Sequence, residues 1–335
     1  MLKHCNTTPS ASPALLGRRL LLALASVCTL MTAVPANAAD PFPVRPITLI
    51  LPFPAGGVSD GQLRALAAAA SKDLGQPIII VNRPGNGGTL APAAMARSSA
   101  PDGYTIALAV RTLLRLPHLS KVNYDPLHDF TYIIGLSGFS FGIVVRDDAP
   151  WKTLKDMLDD ARARPGAIAY GATGRGSSGH VAMERLARAA GVRLNFVPYK
   201  GTAEVTNDLL GGHIGVYSDA GWGGVLESGR VRVLATMGEA RPKRWPQVPT
   251  LKELGYDIVV TSPIGLIGPR GMDPAIVAPL HDALRKAMND PAYVRAMDQN
   301  DQIPEYLGSE AYAQSAAREF AREKVLMQEL GITLE

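Results

Sequence analysis

The chain has 335 residues, 47% hydrophobic and 19% charged, which is long enough for two globular domains and too apolar for a disordered protein. Its 34 basic and 30 acidic residues become 31 and 30 once Lys3, Arg18 and Arg19 of the expected leader are removed, so no strong positive field remains for a nucleic-acid partner. Both cysteines, Cys5 and Cys28, fall in the same leader, and the mature chain is thereby denied a disulfide framework, a cysteine metal site and a cysteine nucleophile.

The leader itself reads as an export signal. Basic residues are followed by an apolar run from Leu20 to Val34, about fifteen residues and short for a membrane span. Ala36-Asn37-Ala38 then supplies a small-x-small cleavage pattern. Residues 1–38 are expected to be a signal peptide cut after Ala38, by the general or the twin-arginine route, with an uncleaved anchor as the alternative.

Downstream, short apolar runs alternate with helical patterns. "ITLILPF" predicts a buried strand ending in a Pro/Gly loop. Leu63, Leu66, Ala67, Ala70 and Leu74 then recur at helical spacing up to Gly75. "PIIIVN" and "YTIALAV" predict two more strands. Such near-continuous apolar strands between amphipathic helices point to a parallel sheet covered on both faces. The pattern restarts after Trp151, with a helix over about 154–164 and strands at "AIAYGAT", "LNFVPYK", "HIGVYSD" and "VRVLATM". "TSPIGLIGP" reads as a strand returning to the first unit. Asp273 and Pro274 open a C-terminal helix, and a last helix runs over about 309–330. The expected division is domain 1 at 39–147 plus 261–335, with domain 2 at 148–260 inserted into it.

Two loops have the setting of an anion site, each following a strand and opening a helix: "PFPAGGVSD" (52–60) and "GATGRGSSGH" (171–180). Helix N-termini offer unpaired N–H groups and a partial positive charge there. In the second loop Gly174, Gly176 and Gly179 match G-x-G-x-x-G. A dinucleotide site also wants an acid at the end of the next strand, and "RLNFVPYKG" offers Lys200 instead. A tight turn alone is a further reading of the glycines. A small carboxylate held by N–H groups and by the hydroxyls of Thr173, Ser177 and Ser178 fits the composition better.

Six stretches, "RPITLILPFPAGGVSD", "NRPGNGGTLAPAAMARSSAPDGYT", "NYDPLHDF", "GRGSSGHVAMERL", "VPYKGTAEVTNDLLGGHI" and "LGYDIVVTSPIGLIGP", resemble in order the periplasmic substrate-binding proteins of tripartite tricarboxylate transporters, the Bug family. The resemblance implies a type II periplasmic-binding-protein fold: two doubly wound α/β domains joined by two crossing strands, with the ligand cleft between. It also implies a periplasmic receptor, without cofactor or enzymatic activity, and a monomer is expected. Such a receptor captures a small carboxylate (a di- or tricarboxylate, an amino acid or an aromatic acid) for membrane permease subunits. By position it assigns ligand contacts to Phe53, Ala55, Gly56, Gly57 and Ser59 in the first loop. In the second it assigns them to Thr173, Gly174, Gly176, Ser177, Ser178 and His180, with Asp219 as an acidic position after a later strand.

Two departures bear on the ligand. Ala220 follows Asp219 where the family commonly has Asn or Ser. Arg111 stands after the third strand where small or hydroxylic residues are usual. Arg111 is expected either to enter the cleft and select a ligand with more than one negative group, or to be a rim arginine paired with a surface acid. The remaining histidines, His118, His128, His180, His213 and His281, form no H-x-x-x-H or H-E-x-x-H pair, so no metal site is expected. His180 beside Ser177 and Ser178 leaves a periplasmic hydrolase or lyase as one alternative function, although "GSSGH" fails G-x-S-x-G at its last position. A ligand sensor for a membrane signalling protein is the other.

Overall fold

The computed structural model describes residues 1–2 and 42–332. The expected signal peptide, its cleavage point and both cysteines lie outside the described residues. Everything below belongs to the unit Phe42–Glu335.

Two sheets organise this unit. In the first, β1 (Ile47–Leu51) pairs in parallel with β2 (Ile78–Asn82) and β3 (Thr105–Ala109). The apolar run that predicts β1 is explained by its position: Ile47, Leu49 and Leu51 on one face have no exposed surface, and Ile50 on the other is buried too. Helix α1 (Val58–Leu74) buries Leu63, Leu66, Ala67 and Ala70, and ends at Gly75 in the left-handed conformation (φ 66°), where glycine carries no Cβ penalty. Helix α2 (Leu90–Ser98) leads into β3.

The sheet is mixed rather than parallel throughout. Strands β4 (Phe130–Phe139), β10 (Ser262–Pro269) and β11 (Ile303–Leu307) join it antiparallel, giving the order β11-β4-β10-β3-β1-β2. The second sheet has the order β7-β6-β8-β5-β9, built from β5 (Phe141–Arg146), β6 (Ala169–Ala172), β7 (Asn195–Pro198), β8 (Val216–Ala220) and β9 (Val231–Thr236). Its β6, β7 and β8 are parallel, and β5 runs antiparallel between β8 and β9.

The chain passes from one sheet to the other at Ser140 and comes back at β10; of these crossing strands, β5 runs against β8 and β9, and β10 against β3 and β4. The first passage precedes the expected 147/148 boundary, because Phe141–Arg146 already hydrogen-bonds with β8 and β9. Val144 lies opposite Tyr217 and Val233 inside the second sheet.

Helices cover the second sheet as their caps dictate. Helix α4 (Leu154–Ala163), which follows the short α3 (Arg111–Arg115) in the chain, starts with a capping box between Thr153 and Asp156. Helix α5 (Ser178–Ala190) is capped by Ser177, and α6 (Thr202–Gly211) begins after Gly201. The short α7 (Trp222–Leu226) follows β8. On the first sheet, α8 (Pro274–Ala287) begins as expected, with the Asp273 side chain accepting from the Ala275 N–H. Helices α9 (Pro291–Gln299) and α10 (Ser309–Leu330) complete the chain. No helix among the described residues is long and apolar enough to cross a membrane.

Candidate functional site

Three strand-to-helix loops meet between the sheets. The first follows β1. Asn82 at the end of the neighbouring β2 donates to the Phe53 carbonyl and to Asp60 Oδ1, both at 3.0 Å. Asp60 Oδ2 in turn accepts from the Gly56 N–H (3.1 Å) and from Arg64 (3.0 Å). Burial works to raise the Asp60 pKa, but the bonds from Arg64, Asn82 and Gly56 outweigh it and hold the carboxyl below its ordinary value. A charged Asp60 therefore clamps the loop and sets the direction of α1.

The second loop joins β6 to α5, and its three glycines do different jobs. Gly174 and Gly176 take positive φ (85° and 73°), which only glycine adopts readily. Gly179 has a packing role: a Cβ there would lie 1.9 Å from the Ser218 carbonyl oxygen on β8. Asp219 holds the start of this loop, its Oδ2 accepting from the Thr173 N–H at 2.6 Å and its Oδ1 from the Ala220 N–H at 2.8 Å. Burial raises the Asp219 pKa, with those bonds opposing the shift.

The third loop, between β7 and α6, was not among the expected contacts. Gly201 faces Pro54 of the first loop so closely that a Cβ would stand 2.7 Å from the proline Cδ. Gly174 likewise leaves room for Gly87 beyond β2. The two sides of the structure are thus in contact around a cleft of about 580 Å³, open solvent at its mouth included.

The cleft walls draw on both sheets. Phe53, Gly57, Ser59, Thr173, Ser177, Ser178 and Asp219 of the expected residues line it. Sequence reasoning missed Thr112, Thr202, Ser262, Phe139 and Phe141, which line it too. The N-terminal turns of α1, α5 and α6 all open onto it, and N–H groups there have no intrahelical acceptor.

Other expected residues stand elsewhere. Ala55 and Gly56 are exposed and outside the lining. The Gly174 N–H donates to the Ala172 carbonyl, and the Gly176 N–H to His180 Nδ1 at 3.2 Å, so neither amide is left for a guest. His180 is buried behind the loop. Burial, with the charges of Arg175 and Arg115, pushes its pKa down to about 4. Ser177 Oγ accepts from the backbone N–H of His180 as a helix cap, and the ring's Nδ1 is taken by Gly176. The pair lacks the contact a nucleophile and its base require.

Arg111 corrects the first of its two expectations. It does not line the cleft. Its guanidinium pairs with Glu319 (2.6 Å) and Glu323 (3.0 Å) of α10 and donates to Thr261 Oγ1. Two carboxylates and a hydroxyl on one side of the molecule outcompete any pull toward the cleft. Beside it Arg115, 2% exposed, makes a two-pronged pair with Glu323 (2.6 and 2.8 Å) and reaches over to the Gly176 carbonyl at 2.8 Å.

Comparison with known proteins places this architecture. The family model described as the tripartite tricarboxylate transporter family receptor matches residues 62–332. The chain belongs to that receptor family. A Cupriavidus necator relative, "UPF0065 protein in gbd 5'region", is 47% identical over 313 residues, covering 93% of this chain and 95% of its own. Among solved structures, the receptor family member here resembles the periplasmic binding protein BugD with a TM-score of 0.84 at 29% identity, over 88% of this chain and all of that one. MatC from Rhodopseudomonas palustris with bound malate gives 0.80 at 28%, over 85% and 99%. An R. palustris protein with adipate gives 0.82 at 28%, over 87% and 99%. This receptor has the two-domain α/β fold of the periplasmic binding proteins, as its sequence motifs imply. Its relatives are binding proteins. Among the described residues no cluster of metal-ligating side chains occurs.

Proposed function

We propose that this receptor captures a small carboxylate in the cleft between its two sheets and acts by binding, without catalysis. The observation that carries the reading is the convergence of three helix N-termini, from α1, α5 and α6, on one cleft rich in hydroxyl groups. Such termini favour an anion. The malate and adipate bound by the two R. palustris proteins agree with it. The sheet built around β1–β4 and that built around β5–β9 form the two lobes of the receptor. The expected leader would take it to the periplasm, where a monomer delivers its ligand to permease subunits.

Phe53, Gly57, Ser59, Thr173, Ser177 and Ser178 are the contacts we assign to the carboxylate and its neighbouring atoms. Asp219 organises the second loop and accepts from a hydroxyl, amine or water of the guest. Ligand bonds to both lobes at once favour the closed form over an open one.

The test is to purify the protein natively, extract it with acid or organic solvent, and identify small acids by mass spectrometry. Thermal shifts with a carboxylate panel follow. A ligand at a hundred times its Kd stabilises by about 2.7 kcal/mol. An extract free of organic acids, together with a panel that moves no melting curve, would refute the reading. Turnover of any panel member would refute its non-catalytic part.

A further inference from the structure

The cleft's charge inventory narrows the class of acid it takes. Among the described residues no lysine or arginine lines it, and its one charged side chain is an acid, Asp219, 3% exposed. The arginines nearby are committed elsewhere: Arg111 to Glu319 and Glu323, Arg115 to Glu323 and the Gly176 carbonyl. The positive field in the cleft comes from helix N-termini, each equivalent to about half a charge. Acids already draw on that field, Asp60 in the first turn of α1, Glu204 in the first turn of α6 and Asp219 at the second loop, so little of it remains for a second negative group.

Apart from Asp219 and the hydroxyl groups, the wall has a large apolar part. Phe53, Phe139 and Phe141 contribute rings, and Val58, Val110 and Ala220 contribute aliphatic surface. Phe139 and Phe141 flank the sheet crossing at Ser140 with ring centroids 6.3 Å apart, edge to face. A second carboxylate placed against these groups would lose its hydration and gain no counter-ion, a cost of several kcal/mol. An apolar chain or ring in the same place gains by burial.

From this we infer that the preferred guest is a monocarboxylate with an apolar body, its one charge at the helix N-termini and its hydrocarbon against the phenylalanines. The inference rests on the carboxylate reading above and narrows it. It sets this receptor apart from relatives that hold malate or adipate.

Titration calorimetry on the purified, ligand-stripped protein decides it. Hexanoate and adipate have the same six carbons and differ by one terminal carboxylate. Benzoate and citrate extend the comparison, and hexanamide removes the charge altogether. Hexanoate or benzoate is expected to bind at least tenfold more tightly than adipate or citrate, and hexanamide more weakly than hexanoate. Adipate or citrate binding as tightly as the monoacids overturns the single-charge inference and leaves the carboxylate reading intact. Hexanamide matching hexanoate overturns both, as does a panel in which no acid binds.

Discussion

Glu323→Gln isolates the energy of the buried ion network. Glu323 is 1% exposed and faces Arg115 through both oxygens, at 2.6 and 2.8 Å, with Arg111 at 3.0 Å. Burial tends to raise its pKa, but the bonds and charges of Arg115 and Arg111 outweigh that and hold it below the ordinary glutamate value. Glutamine keeps the volume and removes the charge. Arg111 retains Glu319, but Arg115 becomes a buried cation with no carboxylate facing it, left with the Gly176 carbonyl and one amide oxygen. Breaking one half of a buried pair costs about 3–5 kcal/mol. For a unit of this size, with an unfolding entropy of about 0.6 kcal/mol/K, that is a fall in Tm of roughly 5–8 °C. Circular dichroism melts at pH 7 measure it. The double variant Arg115→Met/Glu323→Gln should melt higher than Glu323→Gln alone, because it buries no unpaired charge. The pH dependence has a definite sign. A depressed folded pKa gives stability that is present above the unfolded glutamate pKa and is lost as pH falls through the folded value. The gap between wild type and Glu323→Gln should therefore close in acid. A Glu323→Gln variant that melts within about 1 °C of wild type at pH 7 would refute the reasoning.

Two further perturbations probe the second loop. Gly179→Ala puts a Cβ 1.9 Å from the Ser218 carbonyl, and overpacking of a helix against strand backbone should cost about 3 kcal/mol or more, read as a lower urea midpoint. His180, with its pKa pushed from 6.5 to about 4 by burial and by Arg175 and Arg115, should make the protein lose up to ~3 kcal/mol as pH falls from 6.5 toward 4, since the unfolded chain takes the proton first. His180→Gln should flatten that part of the stability–pH curve; an unchanged slope would show that the imidazole is not held neutral.

Much of the architecture was legible because its signals are local. β1, β2 and β3 announce themselves as apolar runs, α1 by the spacing of Leu63, Leu66 and Ala70, and α8 by Asp273-Pro274. The strand–glycine–helix grammar located the first two cleft loops. The same grammar marks the third, Gly201-Thr202 after "FVPYK". What escaped depends on distant partners. Nothing near Arg111 tells that Glu319 and Glu323 will claim it from a helix some two hundred residues on. Phe139 and Phe141, two residues apart, share one side of the extended chain, but that this side faces the cleft depends on the packing of the two sheets. The amides of Gly56 and Gly176 looked available for a guest, but Asp60 and His180, four residues downstream in each case, already bond them. A turn of helix brings i+4 back to the loop, so the competition was local and could have been anticipated.

The contact between Gly201 and Pro54 has a consequence for handling the protein as a device. Gly201 has φ −166°, an extended backbone that any amino acid tolerates, so a side chain there brings no strain to its own lobe. It acts only where the jaws meet, as a doorstop whose thickness is chosen by the residue installed. The travel of the trap can in this way be set separately from the chemistry of its bait.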